Sequence, residues 1–325
     1  MKAVARPPCL LALLLLGAGC GGGGDEPSPT PPAASSAAAA DFPSARGKAL
    51  SDLGDSAPEG PVLSPSVSVL QKGANRFAFA LFDTARKRIS GASAAVYTAR
   101  ADGTGLRGPY PAQVQSTAVQ PQFESRNTAQ DPESTGSLYV ARVPFSRRGR
   151  QVVTALVRLD GRLVSAGRVS VEVGARGALP PDVGERAVAV HTPTREDVAG
   201  DLGQIDTRVP PSSMHGDDLA DVLGRRPVLL IFATPALCLS RVCGPVVDVA
   251  EQVKQEYGER VAFVHQEIYR GNEVGQGFRP QVRAWRLPTE PWAFAIDRRG
   301  RVAARLEGAF SPAELERAVR RALAA

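Results

Sequence analysis

Cysteine is scarce in this chain, with four in 325 residues. That excludes a small disulfide-stapled scaffold, which needs Cys at high density in a short chain. Histidine is scarcer still, at three, and lysine numbers five against 34 arginines. The basic residues form no stripe interleaved with aromatics, so nucleic acid is excluded as a partner and the Arg excess is compositional. Gly follows no three-residue period, which excludes a collagen-like chain, and 43% hydrophobic residues is too many for a wholly disordered one. No Walker loop, H-E-x-x-H or G-x-S-x-G element occurs, and no G-x-G-x-x-G sits between a strand and a helix. Nucleotide-binding and common hydrolase classes therefore drop out. No cofactor is expected. What remains is length enough for two domains at roughly 150 residues each.

Residues 1–20 read MKAVARPPCLLALLLLGAGC. Lys2 and Arg6 make a positive n-region, Leu10–Leu16 an apolar h-region, and Gly17-Ala18-Gly19 a small-residue cleavage zone. The apolar run is shorter than the about 20 residues of a membrane-spanning helix. The segment resembles a bacterial lipoprotein signal over residues 1–19, which implies a lipid on Cys20 and an anchor on the extracytoplasmic side of a membrane in the cell envelope. Gly17 stands where such signals carry Leu, with Leu16 one place earlier. Cys9 falls inside the h-region and would be discarded. Loss of Lys2 and Arg6 reduces the formal charge of +6 to +4. Residues 20–60 lack hydrophobic periodicity and are rich in Gly, Pro, Ser and Ala, the composition of a disordered tether.

Residues 61–175 show short alternating runs between turn residues. Phe77, Phe79 and Leu81 recur at period two, although the Ala and Phe between them allow burial on both faces. Asp160-Gly161 between two apolar runs is a hairpin signal, because both residues tolerate positive φ. The spacing points to an all-β, immunoglobulin-like sandwich. It holds neither Cys nor His and reads as a spacer or docking module. Residues 176–210 form a Pro-punctuated linker, and His191 and His215, in or just after it, read as solvated loop histidines.

Residues 211–325 alternate strand and helix. Pro227–Ala233 (PVLLIFA) is a buried strand, Pro245–Tyr257 an amphipathic helix, and Arg260–Ile268 a second strand. A short helix at Pro280–Trp285 precedes a hairpin of Trp292–Asp297 and Arg301–Glu307. The last helix is marked by Ser311 as N-cap, Pro312 in the first turn and Glu314 as the third position of a capping box. Strands joined by helices imply a sheet covered on both faces, and the hairpin makes it mixed. The order resembles the thioredoxin superfamily. Phe232-Ala233-Thr234-Pro235, then Cys238 and Cys243 between strand and helix, then Thr289-Glu290-Pro291 before a strand carry the resemblance. It implies an α/β fold with a cis-proline facing the redox cysteine. Pro291 matches by position, with Pro288 as its competitor.

The cysteines depart from the family's C-x-x-C, because Cys238 and Cys243 are spaced C-x₄-C. Inside one helix such residues have Cα atoms about 8.6 Å apart, beyond the roughly 4.4–6.8 Å of a disulfide. Pro245 suits a first helical turn, which places Cys243 at the helix start and Cys238 in the loop before it. A thiol there is acidified by backbone N–H groups and the helix dipole, and Arg241 adds positive charge. The resemblance implies thiol–disulfide exchange on envelope proteins, with either cysteine as nucleophile. Glu290 beside the proline is a carboxylate placed for proton transfer or for raising a thiol pKa. Two other readings stand: a binding or scaffold lipoprotein with a structural Cys238–Cys243 disulfide, and a copper protein. For the latter, the chain resembles the Sco-type family through its paired cysteines before a proline, which implies Cys238, Cys243 and His265 as ligands, a set suited to Cu(I).

Overall fold

Nine short, alternating segments build the first half of the chain. They are Val62–Pro65 (β1), Gly73–Phe82 (β2), Arg88–Ile89 (β3), Ser93–Arg100 (β4), Arg107–Ser116 (β5), Ser137–Phe145 (β6), Gly149–Leu159 (β7), Arg162–Ser165 (β8) and Val169–Val173 (β9). The structure is a computed structural model that describes residues 37–174, 177 and 179–325. The nine strands pair antiparallel in the order β1-β2-β6-β5-β4-β7-β8, with β3 on β2 and β9 on β7. The sheet curls along β5, whose first half pairs with β4 while Ala112–Ser116 pairs with β6. The two halves thereby enclose a core of Phe77, Phe79, Tyr139 and Val143 against Val96, Val153 and Val157. Burial follows the period-two pattern. Ala78 is buried too, but on the opposite face, among the residues of the C-terminal helices. Asp160 and Gly161, at φ 49° and 76°, make the tight turn between β7 and β8.

The expected tether is folded over its second part. Leu50–Ser56 is a helix (α1), and Phe42, Leu50 and Leu53 are buried against Ala95, Tyr97 and Leu156 on the outer face of β4 and β7. The sequence hides this, because Ala, Pro and Ser surround three well-spaced apolar side chains. A four-residue helix, Arg126–Ala129 (α2), interrupts the connection between β5 and β6. The linker expected at 176–210 is packed as well. Val188 and Val190 lie on the second sheet, Ile205 is buried, and buried Arg208 reaches Asp248 at 2.9 Å.

The second sheet has four strands, Val228–Phe232 (β10), Ala262–Gln266 (β11), Trp292–Ile296 (β12) and Val302–Glu307 (β13), ordered β11-β10-β12-β13. The β10–β11 pair is parallel and the other two antiparallel, so the sheet is mixed, as expected. Its helices are Leu219–Val222 (α3), Cys243–Tyr257 (α4), Pro280–Ala284 (α5) and Pro312–Ala324 (α6). Side chains of α4 and α6 cover one face, those of α3 and α5 the other. Ser311 caps α6 by accepting the Glu314 N–H at 3.2 Å. The reciprocal half of the expected capping box is absent, because the Glu314 carboxylate turns outward to Arg76 of β2 at 2.8 Å.

That ion pair belongs to a continuous joint. Glu307 of β13 accepts the Ser68 N–H and hydroxyl, the Val69 N–H and the Thr289 hydroxyl. The outer face of β2 and β6 contributes Ala78 and Leu138 to the same core as Val246 and Val249 of α4. The described residues therefore belong to one compact unit. No described helix is long and apolar enough to cross a membrane.

Candidate functional site

The five residues of β10 are all buried, and the chain leaves its end through Ala233-Thr234-Pro235. The loop that follows carries Cys238, and α4 begins at Cys243. The helix boundary is therefore where Pro245 indicated. This loop is short and held at several points. The Leu237 N–H donates to the Thr234 carbonyl, and the Arg241 N–H to the Cys238 carbonyl. Arg241 takes a left-handed φ of 57°, which reverses the chain into the helix. Its Nη1 lies 2.9 Å from Asp131, and its carbonyl accepts the Thr135 N–H. Arg241 thus ties the cysteine loop to the segment before β6, while its charge still reaches Cys238. Asp131 and Thr135 had no signal in the sequence, because their role depends on a contact across more than 100 residues.

The two thiols meet. Cys238 is 8% exposed and Cys243 fully buried, and both are free. The Cys243 S–H donates to the Cys238 sulfur, and this is the largest influence that draws the Cys238 pKa down to about 6 against the cost of burial. Ser240, with its hydroxyl 3.2 Å from the sulfur, and the Val242 and Cys243 N–H groups at the start of α4 assist. Cys243 moves the other way. Burial, then its donated hydrogen bond and the charge on Cys238, raise its pKa well above the ordinary thiol value. One thiol is thus poised as a thiolate and its neighbour as the proton-bearing donor. Of the two thiols, Cys238 is the more acidic.

Glu290 faces this pair. Burial first, and then the charge of Cys238, push its pKa up to about 7. The Tyr269 hydroxyl lies 3.5 Å from its Oε1, and burial together with the Glu290 charge pushes that phenol to about 12. The Glu290–Pro291 peptide is cis, and Pro291 stands immediately before β12. Glu290 and Thr289 also line a groove of about 1330 Å³. Val67, Phe82 and Arg88 line it as well, as do Leu239–Val242 of the cysteine loop. Leu239, next to Cys238, is 97% exposed.

His265 is not part of this constellation. Its ring nitrogens contact Asp206, Ser212 and the Ala233 carbonyl, and the donor cluster that contains it includes neither cysteine. The copper set of Cys238, Cys243 and His265 is therefore not assembled. Glu267 accepts the Thr207 and Ile268 N–H groups, and its charge adds a smaller upward push at Glu290. His215, read as a solvated loop residue, is buried at 3% exposure. His191 is the loop histidine that does stay exposed, 2.8 Å from Asp218. Cys9 and Cys20 lie outside the described residues. No protein-family model matches the chain, and no curated protein matches it.

Proposed function

We propose that this chain is a thiol–disulfide oxidoreductase of the extracytoplasmic envelope, built from an immunoglobulin-like sandwich and a thioredoxin-like domain. The observation that carries the reading is the divergent pair of thiols: Cys238 acidified to about 6 and Cys243 raised, with a hydrogen bond between them at the start of α4. The fold assignment is supported by the order β11-β10-β12-β13, helices on both faces, and a proline immediately before β12, next to Glu290. The signal-like residues 1–20, with Cys20 as lipid carrier, support the location at a membrane surface.

In the reaction, the Cys238 thiolate attacks a protein disulfide in the envelope. One S–S bond breaks, a substrate thiolate leaves, and a mixed disulfide forms on Cys238. Cys243 then gives up its proton, for which the Glu290 carboxylate is the acceptor, and its thiolate attacks Cys238. The second substrate sulfur leaves as a thiolate, and the protein holds a Cys238–Cys243 disulfide. The substrate has gained two electrons and the protein has lost them. A dithiol donor resets the pair, and the same steps in reverse oxidise a substrate dithiol. Glu290 is ionised about half the time at neutral pH, which suits a group that both accepts and returns a proton.

The test is trapping. Cys243→Ser must accumulate mixed disulfides with envelope proteins, and Cys238→Ser must not. Equal trapping by both variants, or none by either, refutes the assignment. A Cys238–Cys243 potential below about −300 mV, with thiols inert in the native state, would instead identify a structural staple and a binding or scaffold protein.

A further inference from the structure

Among the described residues, one group of His, Cys, Asp or Glu donors converges within 4.8 Å: Asp206, His215 and His265, all buried. The thiol reading makes no use of them. Asp206 and His215 lie in the connection before α3, and His265 lies in β11. The backbone holds the carboxylate from behind. Its Oδ1 accepts the Arg208 N–H at 2.8 Å and its Oδ2 the Ser212 N–H at 2.6 Å.

The two rings are oriented from behind as well. His265 Nε2 lies 3.1 Å from the Ala233 carbonyl, which can only accept, so Nε2 carries a hydrogen. In a neutral ring, Nδ1 then offers a lone pair toward Asp206 Oδ2, 3.3 Å away. His215 Nε2 lies 3.0 Å from the same oxygen. Its Nδ1 is buried without a well-formed partner, and the Pro193 carbonyl is the backbone group that acts on it. A hydrogen on that atom leaves the Nε2 lone pair facing Oδ2 too. Two ring nitrogens and a carboxylate oxygen then converge in a buried space. Either a proton on His265, whose pKa Asp206 raises against the cost of burial, or a cation between the three donors satisfies that arrangement. An imidazole that turns its far N–H to a backbone carbonyl is the outer-shell arrangement of metal-bound histidine.

We propose that Asp206, His215 and His265 bind a divalent first-row transition ion, Zn²⁺ above all, in a closed site. Two imidazoles and one carboxylate suit zinc, and nitrogen donors argue against Mg²⁺ and Ca²⁺. Ser212 Oγ, 3.2 Å from His265 Nδ1, is placed to complete the set. The ion would pin the connection to β11 and, through His265, hold the Ala233 carbonyl where the cysteine loop begins. The inference is independent of the thiol reading, since neither cysteine is a ligand.

The experiment removes thiolate competition by using the full chain with Cys9, Cys20, Cys238 and Cys243 all changed to Ser. Stripped of metal with a chelator, this protein is titrated with Zn²⁺ against a chromophoric competitor, and with Co²⁺ by absorbance. One equivalent is expected, with visible Co²⁺ d–d bands and no thiolate charge-transfer bands. In the same background, His215→Asn and His265→Asn each weaken binding by at least about 100-fold. Absence of binding, or one equivalent bound equally well by both variants, overturns the site and leaves a proton shared within the cluster. Should the variants fail to fold, the stripped parent decides: a melting temperature that rises with Zn²⁺ supports the site, and one that does not move overturns it. Should the four-Ser chain itself fail to fold, Co²⁺ titration of the native chain decides by the presence or absence of bands free of thiolate character.

Discussion

Replacing Cys243 by Ala tests the acidity of Cys238 directly. The drop from an ordinary thiol value of 9.0 to about 6 corresponds to roughly 4 kcal/mol in favour of the thiolate. The S–H of Cys243 is the largest favourable contribution, and burial of Cys238 works against it. Removing the donor leaves Ser240 and two backbone N–H groups to stabilise a charge that remains 8% exposed. The Cys238 midpoint should therefore rise by at least about 1 pH unit, and the thiolate fraction at pH 7 should fall from about nine-tenths to below one-half. The assay is the pH dependence of alkylation by iodoacetamide, in a chain whose Cys9 and Cys20 are Ser. Slow access lowers every rate equally and leaves the midpoint intact. Cys243→Ser restores an O–H donor and should bring the midpoint part of the way back. A parent midpoint near 9, or a Cys243→Ala midpoint still near 6, would refute the account of how the pair works.

The remaining predictions concern Glu290 and the architecture. Glu290 has its pKa raised from 4.5 to about 7, so the native state binds the proton more tightly than the unfolded chain. Its contribution to stability is present below pH 4.5 and is lost as pH rises through about 7, so Glu290→Gln should flatten that loss of about 3 kcal/mol in urea unfolding from pH 4 to 8. An unchanged slope would show that the carboxylate is solvated. Gly308 has φ 73°, and an added Cβ would land on the Ser66 carbonyl. Gly308→Ala should cost about 2–4 kcal/mol, whereas Gly149→Ala, at φ 95° with open space around it, should cost about 1. Equal costs measured by denaturant unfolding would mean that the chain at Gly308 does not press on Ser66. Leu53→Ala should cost about 2–4 kcal/mol if residues 50–56 pack as described, and nothing if they form a free spacer. Asp131→Asn removes a partly exposed ion pair, so it should cost under about 1 kcal/mol globally yet raise amide exchange in the loop from Pro235 to Val242.

What the sequence could and could not disclose follows from the range of the forces involved. Period-two alternation, the Asp160-Gly161 turn, the Ser311 cap and the start of α4 near Pro245 are local, and each was legible. Glu314 shows the limit. Its spacing from Ser311 fits a capping box, but an Arg76 guanidinium 238 positions away outcompetes the backbone N–H for its carboxylate. The same holds at the thiols. Cys238, Cys243, Glu290 and Pro291 were singled out from a resemblance in order, and the structure brings the two thiols and Glu290 within electrostatic reach of one another. Arg241 was singled out for its charge, but its principal partner, Asp131, comes from the connection between β5 and β6.

The histidines are the hardest case. His215 sits among Pro, Ser and Gly, where a loop residue is usually solvated, and only the folded connection carries it under β11 beside His265. One local sign was available. Asp206, Arg208 and Ser212 are polar residues between Ile205 and Met214, whose side chains are both buried, and His215 follows directly. Apolar residues at both ends of a polar loop require that the loop itself be drawn inward, and each polar group then needs a partner. A polar stretch bracketed in this way is the local mark of a buried polar network. A metal ion is one member that such a network can recruit, and its chemistry fits the three donors that the loop and β11 bring together.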